Sequence, residues 1–347
     1  MASQAVAFAP GRANLIGEHT DYNQGLALPF AISEGVTVRA TSLDVPRIDA
    51  VAVDLRKHDS FSLDPIERAD GWRAFVRGAA GELLDAGVAL AGASLEISGT
   101  VPRGAGLSSS AALEVALVLA LLSVSGIAEA AEFDRLDLAR MCSRIENDWV
   151  GAQTGLLDQI SSLFGEADRA LRIDFRSLDV RPVALELDGC RLVTLESGEH
   201  HATASSGYNE RRAECARACE ELGVSSLRDV ALSEAAELPA VLCRRVTHVV
   251  TENERVEEAV AAVSRGDMAE LGRLIDASHA SLRDCYEVST PAVEEAVARL
   301  KRAGALGARI MGGGFGGHVL GLLPSDASVP EEAVEVRPGD GARVTGS

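Results

Sequence analysis

Over its first hundred residues the chain alternates short apolar and β-branched runs with polar breaks, a pattern that predicts strands. Residues 5–10 and 26–40 read as paired strands on either side of a polar loop, and 51–63 as a further strand of the same sheet. Between 72 and 86 the period changes. Trp72, Phe75, Val76, Ala79 and Leu83 recur at helical spacing, and Gly87 stops the run. A strand over 93–99 follows, then a turn rich in glycine and serine that opens a long apolar helix reaching about Ser123. A helix over 133–150 comes next, with Asp134 near its start.

Beyond residue 164 the pattern shifts. Strands are expected over 171–175 and 190–195, then a highly charged helix over 208–222. Helices over 246–265, 268–282 and 291–304 each carry an apolar face. The change places a domain boundary near Gly165, with an amino-terminal domain of residues 1–165 and a carboxyl-terminal domain of residues 166–347. A length of 347 residues at 47% hydrophobic supports two cores, and there is no tandem repeat.

Charge narrows the choice of partner. The 33 basic and 52 acidic residues leave a net charge of −19, which argues against nucleic acid and against an anionic membrane. An anionic ligand would need a local cationic or amide-lined pocket. No apolar run reaches the ~18 residues of a membrane helix. Residues 1–10 lack the regions of a secretory signal, so a cytoplasmic protein is expected. The six cysteines are scattered and read as reduced thiols. Cys215 and Cys219 would share a helix face, but no second pair completes a metal site. His200 and His201 would point to opposite sides of a strand and make a poor joint ligand.

Folding alone does not explain residues 11–22, which crowd Arg12, Asn14, Glu18, His19, Asp21 and Tyr22 into twelve positions. Burying such a set without partners costs several kcal/mol per group, roughly, so the side chains are expected to converge on a hydroxyl-rich ligand. A second unusual stretch, Pro102, Gly104, Ala105, Gly106, Leu107, Ser108, Ser109, Ser110 and Ala111, leads straight into a helix. Its glycines let backbone amides approach phosphate oxygens, and the helix start adds about half a positive charge. It does not end in the Gly-Lys-Ser of a Walker loop. A third stretch, residues 311–318, sets five glycines around Phe315, which implies close backbone approach to another segment or a ligand.

The first stretch, with Gly25 and Leu28-Pro29 after it, closely resembles the galactokinase signature G-R-x-N-L-I-G-E-H-T-D-Y, and the second and third resemble the other two GHMP kinase motifs. The resemblance runs from about residue 9 to about residue 342. It implies an α+β, two-domain GHMP kinase fold, with mixed sheets, helices packed on them and the active site in the interdomain cleft. It also implies transfer of the ATP γ-phosphate to the C1 hydroxyl of D-galactose, with Mg2+ as cofactor. By the same resemblance residues 102–111 wrap the ATP phosphates, and Ser110 and Glu146 hold the metal. Asp158 of the Gly155-x-x-Asp158-Gln159 turn is the catalytic carboxylate, with Arg12 well suited to stand beside it. Glu18, His19, Asp21, Gly155 and Tyr208 read the sugar, and the loop bearing Gly313, Gly314, Phe315 and Gly316 shapes the site. Residues 279–291 also resemble a galactokinase stretch.

Three departures mark the chain: no helical extension precedes the first motif, residues 324–341 are short and read without a helix, and residues 196–201 replace a more polar segment. Residues 337–342 resemble the family's closing strand. The expected partners are D-galactose and MgATP, and the expected state is a monomer or weak homo-oligomer. The alternatives are a kinase for N-acetylgalactosamine, arabinose or a uronic acid, and a non-catalytic galactose/ATP sensor.

Overall fold

The computed structural model describes residues 3–101, 106–127, 133–152, 154–199 and 204–345. Pro102, Gly104 and Ala105 of the phosphate motif, and His200 and His201, lie outside them. A six-stranded sheet runs in the order Arg343–Thr345, Gln4–Asn14, Pro29–Leu43, Gly92–Gly99, Arg47–Ala52, Lys57–Ser62. Its pairs are antiparallel except Arg47–Ala52 against Gly92–Gly99. Helices Trp72–Asp85, Ser109–Val124 and Arg135–Arg144 share one apolar core with this sheet, built from residues such as Val38, Leu95, Leu83, Val115 and Leu119. The Ser109–Val124 helix is apolar on every side and lies almost wholly inside, as its sequence requires.

A second sheet, ordered Gly307–Ile310, His318–Pro324, Cys190–Glu196, Val334–Val336, packs on helices of the carboxyl-terminal half through Val193, Val246, Leu282, Val319 and their neighbours. A third core joins the halves. In it Leu15, Ile16, Leu26 and Leu28, which flank the first polar motif, meet Val256, Ala259, Leu271, Leu274 and Met311. The arrangement is α+β, with mixed sheets and helices packed on them, as the motifs imply.

Several expected elements differ in detail. The strand over 26–40 is two pieces, because the chain changes sheets at Leu28: Leu26–Ala27 pairs with Arg169–Asp174, and Pro29–Leu43 pairs with Gln4–Asn14. The strand over 51–63 is the end of one strand, a turn at Val53–Leu55 and a second strand, Lys57–Ser62; Arg56 takes a left-handed conformation that reverses the chain. Asp134 caps its helix by accepting from the Asp137 amide at 2.8 Å, but the α-helix stops at Arg144 and continues as a π-helical turn, Ile145–Val150. Asp158, expected in a turn, sits in the first turn of the helix Leu157–Phe164. The helix expected from 246 begins at Ala240, and the one expected from 208 begins at Ala204. The closing strand is Arg343–Thr345 rather than 337–342, and it returns to the first strand of the chain.

Candidate active site

The site begins where the first strand meets the phosphate motif. At Gly11 a Cβ would lie 2.3 Å from the Leu107 carbonyl oxygen, so only glycine admits so close an approach. The Arg12 amide donates to that same carbonyl at 3.1 Å, and Arg12 Nη1 donates to the Gly106 carbonyl at 2.5 Å. The arginine therefore stitches strand to loop, and its remaining nitrogens reach Asp158. Nε donates to Oδ1 at 2.8 Å, and Nη2 lies 2.7 Å from the same oxygen. The Ser108 hydroxyl donates to Asp158 Oδ2. Ser108 holds φ 57°, a left-handed strain that a serine adopts only where its surroundings compel it.

These groups open onto a cavity of about 410 Å3. Both halves of the chain line it: Arg12, Glu18, His19 and Asp21, then Ser108 to Ser110, Glu146, Gly155 and Asp158, then Tyr208, Asn209 and Gly312 to Gly314. The sugar-motif residues reach it because the loop is pinned at both ends by one helix, Ala240–Ser264. Glu252 Oε1 accepts from the Gly17 amide at 3.0 Å, and Asn253 Oδ1 from the Leu26 amide at 2.7 Å. Glu252 is fully buried, yet its carboxyl lies at about 2, held there against burial by Arg255, His248 and Arg309.

Each sugar-motif side chain has its own setting. Asp21 is pushed up to about 6, first by burial and then by the charges of Asp158 and Glu18, against the Tyr22 amide and Arg212. At Gly155 a Cβ would fall 1.9 Å from Asp21 Oδ2, so the glycine clears the space that the carboxylate occupies. Glu18 is less free than expected of a sugar reader, since Oε1 accepts from Arg309 Nη2 at 2.5 Å and from the Gly312 amide at 2.8 Å. His19 is lowered to about 3, first by burial and then by His248 and Arg211, and is neutral at physiological pH. Its Nδ1 meets the Tyr22 hydroxyl at 2.9 Å, and its buried Nε2 meets no side-chain hydrogen-bond partner among the described residues. Tyr208 stacks at 5.3 Å from the His19 ring, with Gly313 against its edge.

Behind Asp158 lies a group of carboxyls. Glu146 accepts from Thr154 Oγ1 at 2.8 Å and from Gln159 Nε2 at 3.1 Å, and the Ser110 hydroxyl also bonds it. Its pKa is raised by burial and then by the Asp158 charge. A cation at Ser110 and Glu146 would relieve both effects, and an all-oxygen donor set suits a hard divalent ion. Among the described residues no three His, Cys, Asp or Glu form a closed metal cage. Such an ion would complete its shell with phosphate oxygens and water. The six cysteines are free thiols, as expected, and Cys215 packs its Sγ 3.0 Å from the Tyr286 hydroxyl.

The glycine-rich loop behaves only partly as anticipated. Gly312, Gly313 and Gly314 face the cavity, whereas Phe315 and Gly316 do not line it. The Phe315 ring packs against Gly207 and under the Arg211 guanidinium at 5.6 Å, an apolar seat that takes it away from the polar cavity. Gly316 instead approaches the Glu199 carbonyl, where a Cβ would sit at 2.6 Å.

Sequence reasoning missed Arg309, which is fully buried and pairs with Glu18. It also missed a second cavity of about 400 Å3 that opens at Ser109 and Ser110 and is lined by Trp72, Phe75, Leu113, Val101 and Ile97. The only signal for either lay in long apolar stretches that read as core.

Comparison with known proteins identifies the chain's relatives. Residues 2–41 match the family described as the galactokinase galactose-binding signature. Residues 74–166 match the GHMP kinases N terminal domain, and residues 259–337 the GHMP kinases C terminal domain. A galactokinase of Mycobacterium tuberculosis strain H37Ra is 43% identical over 328 residues, spanning 92% of this chain and 88% of that relative. The crystal structure of Lactococcus lactis galactokinase complexed with galactose superposes with a TM-score of 0.90 at 32% identity, covering 98% of this chain and 95% of that one. Mevalonate kinase of Methanococcus jannaschii, at 18% identity and a TM-score of 0.69, shares the fold.

Proposed function

The chain belongs to the galactokinase family of GHMP kinases, and on that premise we propose that Asp158 and Arg12 carry the transfer of the ATP γ-phosphoryl group to the C1 hydroxyl of α-D-galactose. The protein is an ATP-dependent sugar kinase, and its products are galactose 1-phosphate and ADP. The observation that carries the residue assignment is the Asp158 carboxyl, which opens into one cavity with Asp21, Glu18 and His19 on one side and the start of the Ser109–Val124 helix on the other.

Each side chain then has a task. Asp21, a carboxylate above pH 6, accepts hydrogen bonds from neighbouring sugar hydroxyls, and the neutral His19 and the Tyr208 ring close the seat around them. Asp158 accepts the proton of the C1 hydroxyl as its oxygen attacks phosphorus, in line with the departing ADP oxygen. Arg12 orients that carboxyl and adds positive charge beside the transferring phosphoryl oxygens. The first-turn amides of the Ser109–Val124 helix have no intrahelical acceptor and point toward phosphate. Ser110 and Glu146 would hold Mg2+, which neutralises triphosphate charge when bound. The apolar cavity lined by Trp72 and Phe75 is the seat of the adenine base. In this reading the chain divides near residue 165, the sugar and the phosphates lie between the two parts, and the adenine seat belongs to the first part.

An ADP-release assay over a panel of hexoses and pentoses tests the assignment. Galactose should give the highest kcat/KM. A higher value for N-acetylgalactosamine, an arabinose or a uronic acid would transfer the substrate to that sugar, and binding of galactose and ATP without any ADP release would make the protein a sensor.

Two further results are expected. Trp72→Ala should raise the KM for ATP by about tenfold, the loss of roughly 1.5 kcal/mol of apolar burial, and leave the galactose KM unchanged. The pH dependence follows from Asp21. Its carboxyl is raised to about 6, so the form that accepts from sugar hydroxyls is lost as pH falls through that value. The groups that set the value are Asp158, Glu18, Arg212 and the Tyr22 amide. The galactose dissociation constant should therefore rise below pH 6 and stay flat from 7 to 8. An affinity unchanged down to pH 5 would remove Asp21 from the sugar contact.

A further inference from the structure

The helix Ser109–Val124 carries one ionisable residue, Glu114, and it is fully buried. The helix is otherwise built of Ala, Leu, Val and Ser. A buried carboxyl without a task is costly. Glu114 follows Ser110 by one helical turn and lies on the same face. Its Oε2 accepts from Gln159 Nε2 at 3.1 Å, and the same nitrogen donates to Glu146 Oε2 at 3.1 Å. One buried amide therefore bridges two carboxyl groups and uses both of its N–H donors.

We propose that Glu114 is a positioning residue for the metal-binding carboxylate: it locks the Gln159 amide with its nitrogen toward Glu146, and thereby fixes how Glu146 presents itself to the ion beside Ser110. The argument rests on what a rotated amide would do. A side-chain amide turned by 180° would set its carbonyl oxygen against Glu146, replacing attraction with repulsion. Glu146 alone gives the amide only one reason to stay, whereas two acceptors on the nitrogen side hold it.

The remaining atoms agree. Glu114 Oε1 and Gln159 Oε1 are both buried, and neither has a partner among the described residues. Burial, followed by the charge of Glu146, raises the Glu114 pKa well above the ordinary range. If Glu114 carries a proton, an acid–amide ring, Gln159 Nε2–H to Glu114 Oε2 and Glu114 Oε1–H to Gln159 Oε1, would give each of these atoms a partner. A glutamine at 114 can form the same ring, while a leucine cannot.

The inference rests on the assignment of Glu146 to the metal, and the test separates the two. Mn2+ affinity is measured by electron paramagnetic resonance in the presence of a non-hydrolysable ATP analogue, with galactose affinity and thermal melting recorded alongside. Glu114→Leu should weaken Mn2+ binding by about tenfold, the low end of what supporting-residue changes cost metal sites, and leave galactose affinity unchanged. Gln159→Leu should give the same loss and carries the test if the first variant does not fold. Glu114→Gln should match the parent protein. The positioning role is overturned if Leu at 114 or 159 binds Mn2+ normally while Glu146→Gln does not, or if Glu114→Gln loses as much as Glu114→Leu. Normal Mn2+ binding by Glu146→Gln would instead overturn the metal assignment itself.

Discussion

Asp158→Asn is expected to lower kcat by about 10²-fold or more, the usual range for removing a positioned proton acceptor, with galactose affinity unchanged. The substitution keeps the shape of the side chain and removes the one property that the proposed chemistry requires. An amide cannot take the C1 proton, so the attacking oxygen must lose it to water. The neighbours make the variant informative. Arg12 Nε and Nη2 both contact Asp158 Oδ1, and the Ser108 hydroxyl contacts Oδ2. An asparagine Oδ1 can still face Arg12, while its Nδ2 confronts a serine oxygen that can accept from it. Local structure should therefore survive, and a thermal melt close to that of the parent protein is part of the expectation. Single-turnover kinetics with galactose and ATP supply the measurement. A turnover within twofold of the parent would show that Asp158 is not the proton acceptor and that Arg12 and the bound metal suffice.

Some of this site was open to reading from the sequence and some was not, for a physical reason that can be traced residue by residue. Residues 11–22 hold polar groups at a density that neither a strand nor a helix demands, so their pattern was visible without any fold. The same holds for the glycines and serines before Ala111. Their partners across the cleft were hidden. Arg309 lies in a strand of four buried residues, and Glu252 and Asn253 lie in a long amphipathic helix, where periodicity announces core and says nothing of a single polar contact across the fold. Trp72 and Phe75 kept their helical spacing, yet the faces they turn to the cavity belong to tertiary structure. Phe315 misled in the opposite sense, because a glycine-rich setting suggests exposure to ligand, and only packing against Gly207 shows where the ring goes. The strand expected over 26–40 broke for the same reason, since local alternation continues through Leu28 while its hydrogen-bond partners change.

Asp21→Ala is expected to lower kcat/KM for galactose by about 10² to 10⁴, if the carboxylate accepts two hydroxyl hydrogen bonds worth roughly 1.5–3 kcal/mol each. Most of the change should appear in the sugar KM, because Asp21 binds the ring while Asp158 does the chemistry. Gly155 gives this result a second dimension. A methyl group there would sit 1.9 Å from Asp21 Oδ2, and the three nearest atoms at that glycine all belong to the Asp21 side chain. Gly155→Ala should therefore act through the displaced carboxylate and raise the galactose KM in the parent protein. In the Asp21→Ala background the added methyl loses its two closest contacts and meets only the remaining Cβ of residue 21, at 3.2 Å, so the double variant should be little worse than Asp21→Ala alone. Residues in contact depart from additivity in this way, and the size of the departure measures their coupling. Fully additive losses would mean that Gly155 serves the sugar directly, by letting the ring approach the backbone, and that Asp21 and Gly155 read different parts of it.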